Sequence, residues 1–228
     1  MRTNRRLIAV TALIGSLTLG SGLARAGDDE RSACRGLPSH AALRSALEAA
    51  QAQSNGGFGL QMWATVVNRD GVVCAVAFTG DDRGDQWPGS RVISAQKANT
   101  ANAFSLPGLA LSTANIYSAV QPGGSLFGLQ ASNPVNALYN ASGKLVGGIG
   151  VSGDSSCADH NIAWRARSTL NLDHVPAGVS PDATRKDNIV YDITPQPGQM
   201  PGVSASGWGH PVCSDAAKMI AENLPVTH

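Results

Sequence analysis

Residues 136–167, NALYNASGKLVGGIGVSGDSSCADHNIAWRAR, constrain the fold more than any other part of the chain. They read as a strand, a tight turn at Ser142-Gly143, a second strand, a glycine-rich elbow and a helix. The elbow holds a literal G-x-G-x-x-G, Gly148-Ile149-Gly150-Val151-Ser152-Gly153. A dinucleotide-binding turn needs more than this: a helical crossover, a following parallel strand, and an acid about 20 residues on. Asp173 falls near that distance. Yet the strand before the elbow has an antiparallel hairpin partner, and the helix after it runs into a Pro/Gly-rich tail. Glycines that let a strand end bend and a helix pack close to the sheet account for the pattern better. The helix start at Asp154-Ser155-Ser156 also offers N–H groups that suit an anion.

The N-terminus predicts where the protein works. Arg2, Arg5 and Arg6 precede an apolar run from Leu7 to about Leu23, and Ala24-Arg25-Ala26 is an A-x-A cleavage site. Gly15, Ser16, Thr18, Gly20 and Ser21 interrupt the run, making it a poor membrane anchor. A signal peptide over 1–26 is expected, with a periplasmic or secreted product and no membrane span after cleavage. That segment holds four of the 17 Lys+Arg and none of the 16 Asp+Glu, so the remainder carries a formal −3. No Lys/Arg run forms a phosphate footprint, which argues against nucleic acid as a partner.

Four cysteines in an exported chain predict two disulfides. The first helix precedes the first strand, which turns back through Asn68-Arg69-Asp70-Gly71 into the second. The starts of that helix and of the second strand then share one end of the sheet. This favours Cys34–Cys74 and leaves Cys157–Cys213 to pin the tail onto the last helix. Four cysteines allow three connectivities, so the others stay open. A catalytic or metal thiolate is the alternative, although there is no C-x-x-C and no zinc-spaced Cys/His cluster.

Elsewhere, Pro38-Ser39 opens a helix from about His40 to Gln53, closed by Asn55-Gly56-Gly57. Met62 to Val67 and Gly71 to Phe78 form a hairpin, followed by the polar loop 79–88. Gly89 to Ser105 and Leu109 to Val120 read as helices, and a short strand is expected near Leu126 to Leu129. After Leu172 the prolines at 176, 181, 195, 197, 201 and 211 predict an irregular extension over 175–228 rather than a second domain.

Two literal motifs carry little chemistry. Ser94-Ala95-Gln96-Lys97 is an S-x-x-K, but the S-D-N and K-T-G partners of penicillin-interactive enzymes are absent from the sequence. Asp81, Asp82 and Asp85 lack the closing bidentate Glu of a calcium loop. Both read more simply as solvated surface.

The hairpin VVNRDGVVCAVAFTGDDRGD, the helix SRVISAQKANTANAF and the segment LYNASGKLVGGIGVSGDSSCADHNIA resemble the GlcG/HbpS-like family, related to the C-terminal domain of PduO-type cobalamin adenosyltransferases. The resemblance covers roughly residues 38–170, and G-G-I-G-V-S-G is its most specific element. It implies an α+β fold over 27–174, with an antiparallel five-stranded sheet flanked by helices, a homo-oligomer, and heme as the cofactor. The segment 107–133, the four cysteines and the tail depart from the family core.

Heme iron takes His, Met, Tyr or thiolate, and oxidised cysteines drop out. His160, on the helix leaving the elbow, is the expected metal ligand, and His40 the other candidate; His210 lies in the tail. Each histidine also reads as a surface or capping residue. Arg83, Arg91 and Lys97 suit the propionate carboxylates. The pocket is expected between the 79–97 loop and helix and the 148–160 elbow, with Gly150, Ser152, Gly153 and Asp154 on its elbow side. The functional expectation is an exported, non-enzymatic heme- or tetrapyrrole-binding protein. The alternatives are an enzyme on a small molecule, using Asp82, Lys97 and Asp154, and an accessory subunit whose small-residue helix faces make oligomer contacts.

Overall fold

The computed structural model describes residues 32–129, 136–196 and 199–228; the leader-like residues 1–26 lie outside them. Helix α1 (His40–Gln51) starts at Ser39, whose Oγ accepts the Ala42 N–H at 3.2 Å and so satisfies one of the helix's orphan donors. Leu43, Ala46, Leu47 and Ala50 form its buried stripe at helical spacing. Strands β1 (Trp63–Asn68) and β2 (Val73–Phe78) follow as an antiparallel hairpin. The Asn68 Oδ1 accepts the N–H groups of Asp70 and Val72, both at 2.9 Å, and shapes their turn.

Helix α2 (Ser90–Phe104) comes next, then a 3-10 turn (Thr113–Ile116) that runs into the four-residue α3 (Tyr117–Val120). Strands β3 (Asn136–Tyr139) and β4 (Leu145–Ser152) lead through the elbow into α4 (Ser156–Thr169). The sheet order is β2-β1-β4-β3, antiparallel throughout. Helices α1 and α4 cover one face, where Leu43, Leu47, Ala64, Val66, Ile149, Val151, Ile162 and Ala166 share one core.

Helix α2 covers the other face, and the period-2 alternation of β4 shows how. Ile149 and Val151 point into the main core, while Gly148 and Gly150 face α2. A Cβ on Gly148 would run into the Ala98 carbonyl oxygen, and one on Gly150 into that of Ser94. Four helix residues, Ser94 to Ala98, rise about 6 Å and match two strand residues, about 6.6 Å, so the glycine pair seats the helix backbone directly on the strand. The elbow glycines thus serve close helix–sheet packing, as the sequence implied.

Three expectations are corrected. The main sheet has four strands, not five. Residues 126–129 form turns instead of a strand, because their backbone bonds are satisfied locally: Leu126 N–H reaches the Ala119 carbonyl at 2.9 Å and Leu129 N–H the Leu126 carbonyl at 3.1 Å. The free edge of β3 is met by the chain leaving α4, with Tyr139 N–H on the Leu172 carbonyl at 2.9 Å and a parallel bridge from Tyr139 to Asp173. The helix expected from Leu109 begins only at Thr113. Before it, Leu106 and Leu109 close a turn around Pro107-Gly108.

The third correction concerns the tail, which is not uniformly irregular. It contains a two-stranded antiparallel sheet, β5 (Ile193–Gln196) with β6 (Gln199–Ser204), and helix α5 (Asp215–Glu222). Ala217, Ala221 and Leu224 pack with Cys157, Trp164 and Ile189 on the back of α4, and Trp164 Nε1–H donates to the Pro225 carbonyl at 2.9 Å. Disulfides join Cys34 to Cys74 and Cys157 to Cys213, the expected pairs. Among the described residues no helix is long and apolar enough to cross a membrane.

Candidate functional site

The first turn of α2 stands over the start of β1. Trp63 opens β1 directly opposite Phe78 in register, and their rings stack at 4.6 Å between centroids and 17° between planes. The Arg91 guanidinium sits 5.5 Å above the Trp63 ring. The loop that carries Arg83 is fixed at several points. Gln61 N–H donates to the Asp85 carbonyl at 2.8 Å, and Trp87 N–H to the Gly153 carbonyl at 2.8 Å. Asp82 Oδ1 caps the short 3-10 turn Arg83–Asp85 by accepting the Gly84 N–H at 2.6 Å. Gly89, at φ 82°, then turns the chain into α2 through a left-handed conformation that favours glycine.

These elements enclose an open cleft of about 490 Å³ lined by Trp63, Arg83, Gln86, Gly89, Arg91 and Val92. Its chemistry is an aromatic platform, two guanidinium groups and the exposed apolar side chain of Val92. Trp63 Nε1 and Gln86 Oε1 are buried and lack hydrogen-bond partners among the described residues. Such a site suits a flat conjugated ligand that carries carboxylates.

Of the residues nominated from sequence, the structure brings Arg83 and Arg91 together here. Lys97 is elsewhere. It is fully buried, donating to the Val151 carbonyl at 2.7 Å and to Asp159 Oδ2 at 2.8 Å. Burial lowers the lysine from its ordinary value, and burial raises the Asp159 carboxyl to about 6 against the pull of Lys97. An ammonium committed to these partners does not serve a propionate.

The elbow residues are likewise occupied. Gly150 lies against the Ser94 carbonyl, Ser152 Oγ is 3.3 Å from Ser90 Oγ, and the Gly153 carbonyl holds Trp87. The Asp154 carboxylate accepts the Phe58 N–H at 2.9 Å and the Leu60 N–H at 3.1 Å, clasping the 57–60 loop. It lines a second hollow, of about 560 Å³, with Gln51, Asn55 and Ser214. The helix start expected to receive an anion thus receives carboxylates of the chain itself, since Asp154 N–H donates to Asp159 Oδ1 at 3.0 Å.

His160 does not present a free ring face. It is fully buried, with Nε2 2.7 Å from Asn188 Oδ1 and its ring 5.7 Å from that of Trp164. Burial pushes it down to about 4, so the ring is neutral at physiological pH. This placement does not suit the iron-ligand role expected of it. His40 is exposed as the first residue of α1, on the opposite side of the sheet from α2. Sequence reasoning missed Trp63, Gln86 and Val92. The hairpin register, which sets Trp63 against Phe78, is the signal that would have found the platform.

An α+β protein with an antiparallel sheet, a helix seated on glycines and a cationic aromatic cleft is the class this geometry defines. The chain matches the family model described as "Haem degrading protein HbpS-like" over residues 39–168, and it belongs to that family. Two solved structures resemble it more loosely. The PduOC:heme complex is 25% identical, covers 57% of this chain and 91% of its own, and gives a TM-score of 0.44. The Klebsiella pneumoniae protein ORFY is 25% identical, with coverages of 58% and 90% and a TM-score of 0.45. No curated protein matches the chain.

Proposed function

We propose that this is an exported heme- or tetrapyrrole-binding protein. The macrocycle lies in the cleft over Trp63, with its carboxylates on Arg83 and Arg91. The carrying observation is the Arg91 guanidinium above the stacked Trp63–Phe78 pair, with Arg83 lining the same cleft. Membership of the HbpS-like family supports heme as the ligand. Export is supported by the leader-like residues 1–26 and by four cysteines all engaged in disulfides. The six cleft residues include no His, Met, Tyr or Cys, so the protein's hold is on the ring and its carboxylates rather than on the metal. A homo-oligomer is part of the same reading.

Hemin titration of the purified protein tests it. A saturable Soret shift at one hemin per chain is expected. The double variant Arg83→Ala/Arg91→Ala should weaken binding at least about tenfold, since each charge-assisted hydrogen bond contributes about 1.5–3 kcal/mol. His40→Ala and His160→Ala should leave the Soret position unchanged. No shift with folded protein, or full affinity in the double arginine variant, rejects this site.

A further inference from the structure

We propose that Asp173, His174 and His228 form a site for a divalent transition metal, at the end of the sheet away from the cleft. A carboxylate oxygen and one ring nitrogen from each histidine lie within 4.8 Å of one another. Asp173 Oδ1 and His228 Nδ1 are already 2.9 Å apart, and the two imidazole rings are 5.0 Å apart between centroids. Ligands sharing a tetrahedral ion at about 2.0–2.1 Å sit about 3.3 Å from each other, so small side-chain movements close the set.

A second observation points to a ligand. Asp173 is fully buried, and its Oδ2 has no hydrogen-bond partner among the described residues. A buried carboxylate oxygen without a donor is costly, and a bound cation removes that cost. The nearby ammonium of Lys186 does not supply it: it is turned to the Val175 carbonyl at 2.7 Å and reaches the His228 carbonyl at 3.4 Å.

The surroundings orient the ligands as outer-shell partners do in metal sites. His174 Nε2 donates to Asn171 Oδ1 at 3.0 Å, which leaves Nδ1 with its lone pair free. Asn171 is held at φ 54°, the left-handed turn that ends α4, so the amide is fixed beside the histidine. Asp173 is fixed by its bridge to Tyr139 at the sheet edge, and His228 N–H donates to the Asp173 carbonyl at 3.2 Å. Two imidazoles and one carboxylate suit zinc, copper or nickel in preference to calcium or magnesium. The ion takes the place of the proton between the Asp173 carboxylate and His228 Nδ1, with the unpartnered Oδ2 also turned to it.

The site lies outside the family-matched residues 39–168 and is independent of the heme reading. Strand β4 separates them: Leu145 pairs with Tyr139 at one end and Ser152 with Trp63 at the other, about 23 Å apart by strand rise.

Zinc titration by calorimetry, with the full chain freed of metal by chelation, tests the proposal. One zinc per chain is expected, with a rise in melting temperature on loading. His174→Ala and His228→Ala should each weaken binding at least about tenfold, because loss of an outer-shell partner alone costs about 10–100-fold. Both histidines are at least partly exposed, so these variants keep the fold. His40→Ala and Arg83→Ala/Arg91→Ala should bind zinc as the wild type does. Absence of a binding isotherm, or stoichiometric binding that survives both ligand-histidine variants, overturns the site.

Discussion

Two ion pairs are buried on α4, and they are built differently. Lys97–Asp159 ties α2 to the start of the helix, and Arg167–Asp187 ties its end to the chain beyond. Lys97 brings a compact ammonium to one carboxylate oxygen and one carbonyl. Arg167 makes a two-pronged contact with Asp187, at 2.6 and 2.8 Å, donates to the Ala137 carbonyl at 3.1 Å, and lies 4.6 Å over the Trp164 ring. Asn136 Nδ2 adds a further donor to Asp187 at 3.3 Å. A lysine pair in a dry site can relieve a lost partner by changing its protonation. An arginine pair cannot, and it must be satisfied by geometry.

The largest effect should therefore come from stranding the arginine. Asp187→Ala leaves a permanently charged guanidinium in the interior and should cost about 3–5 kcal/mol, with little dependence on pH. Urea unfolding at two pH values measures both features. A cost below about 1 kcal/mol would erase the contrast between the pairs.

Lys97→Met comes next, and its cost should vary with pH. Asp159 already holds its proton up to about 6, against an ordinary 3.8. Over that window the folded chain binds a proton the unfolded chain has lost, so this group's contribution to stability falls as pH rises and levels off above about 6. Lys97 is what pulls the carboxyl down, so without it the carboxyl rises further. The penalty of the variant should then be smallest near pH 5 and grow past pH 6, by up to about 1.4 kcal/mol per pH unit. Replacing both partners, Lys97→Met with Asp159→Leu, should restore most of the stability. A penalty equal at pH 5 and pH 7.5 contradicts the protonation argument.

The smallest effect is expected at Asn136→Ala. It removes one accessory donor from Asp187 and should cost about 1 kcal/mol. Chemical denaturation would show whether the bidentate contact holds without it.

Local signals made part of this legible in the sequence. The Ser39 cap, the hairpin around Asn68, the turn at Ser142-Gly143 and the glycine elbow each announce themselves within a few residues. Where the elements begin favours one of the three disulfide connectivities, the one the structure shows. Arg83 and Arg91 were found because they flank a polar loop. Lys97 was misread because its partner lies 62 residues away, and the small residues around it look like an ordinary exposed helix face. His160 was misread for a similar reason: Asn188, which covers it, belongs to a tail whose prolines hide a capped helix and a hairpin. The missing fifth strand reflects turn bonds that satisfy residues 126–129 locally.

Helix α2 rests on β4 backbone against backbone, and this has a consequence for the cleft. The separation of helix and strand is set by main-chain atoms in contact, so exchanges at the exposed positions of the helix neither raise nor lower it. The first turn of α2 is held like a bracket at one height above Trp63. A change at the exposed position 92 can thus alter what the cleft prefers, while the platform and its overhanging guanidinium keep their spacing.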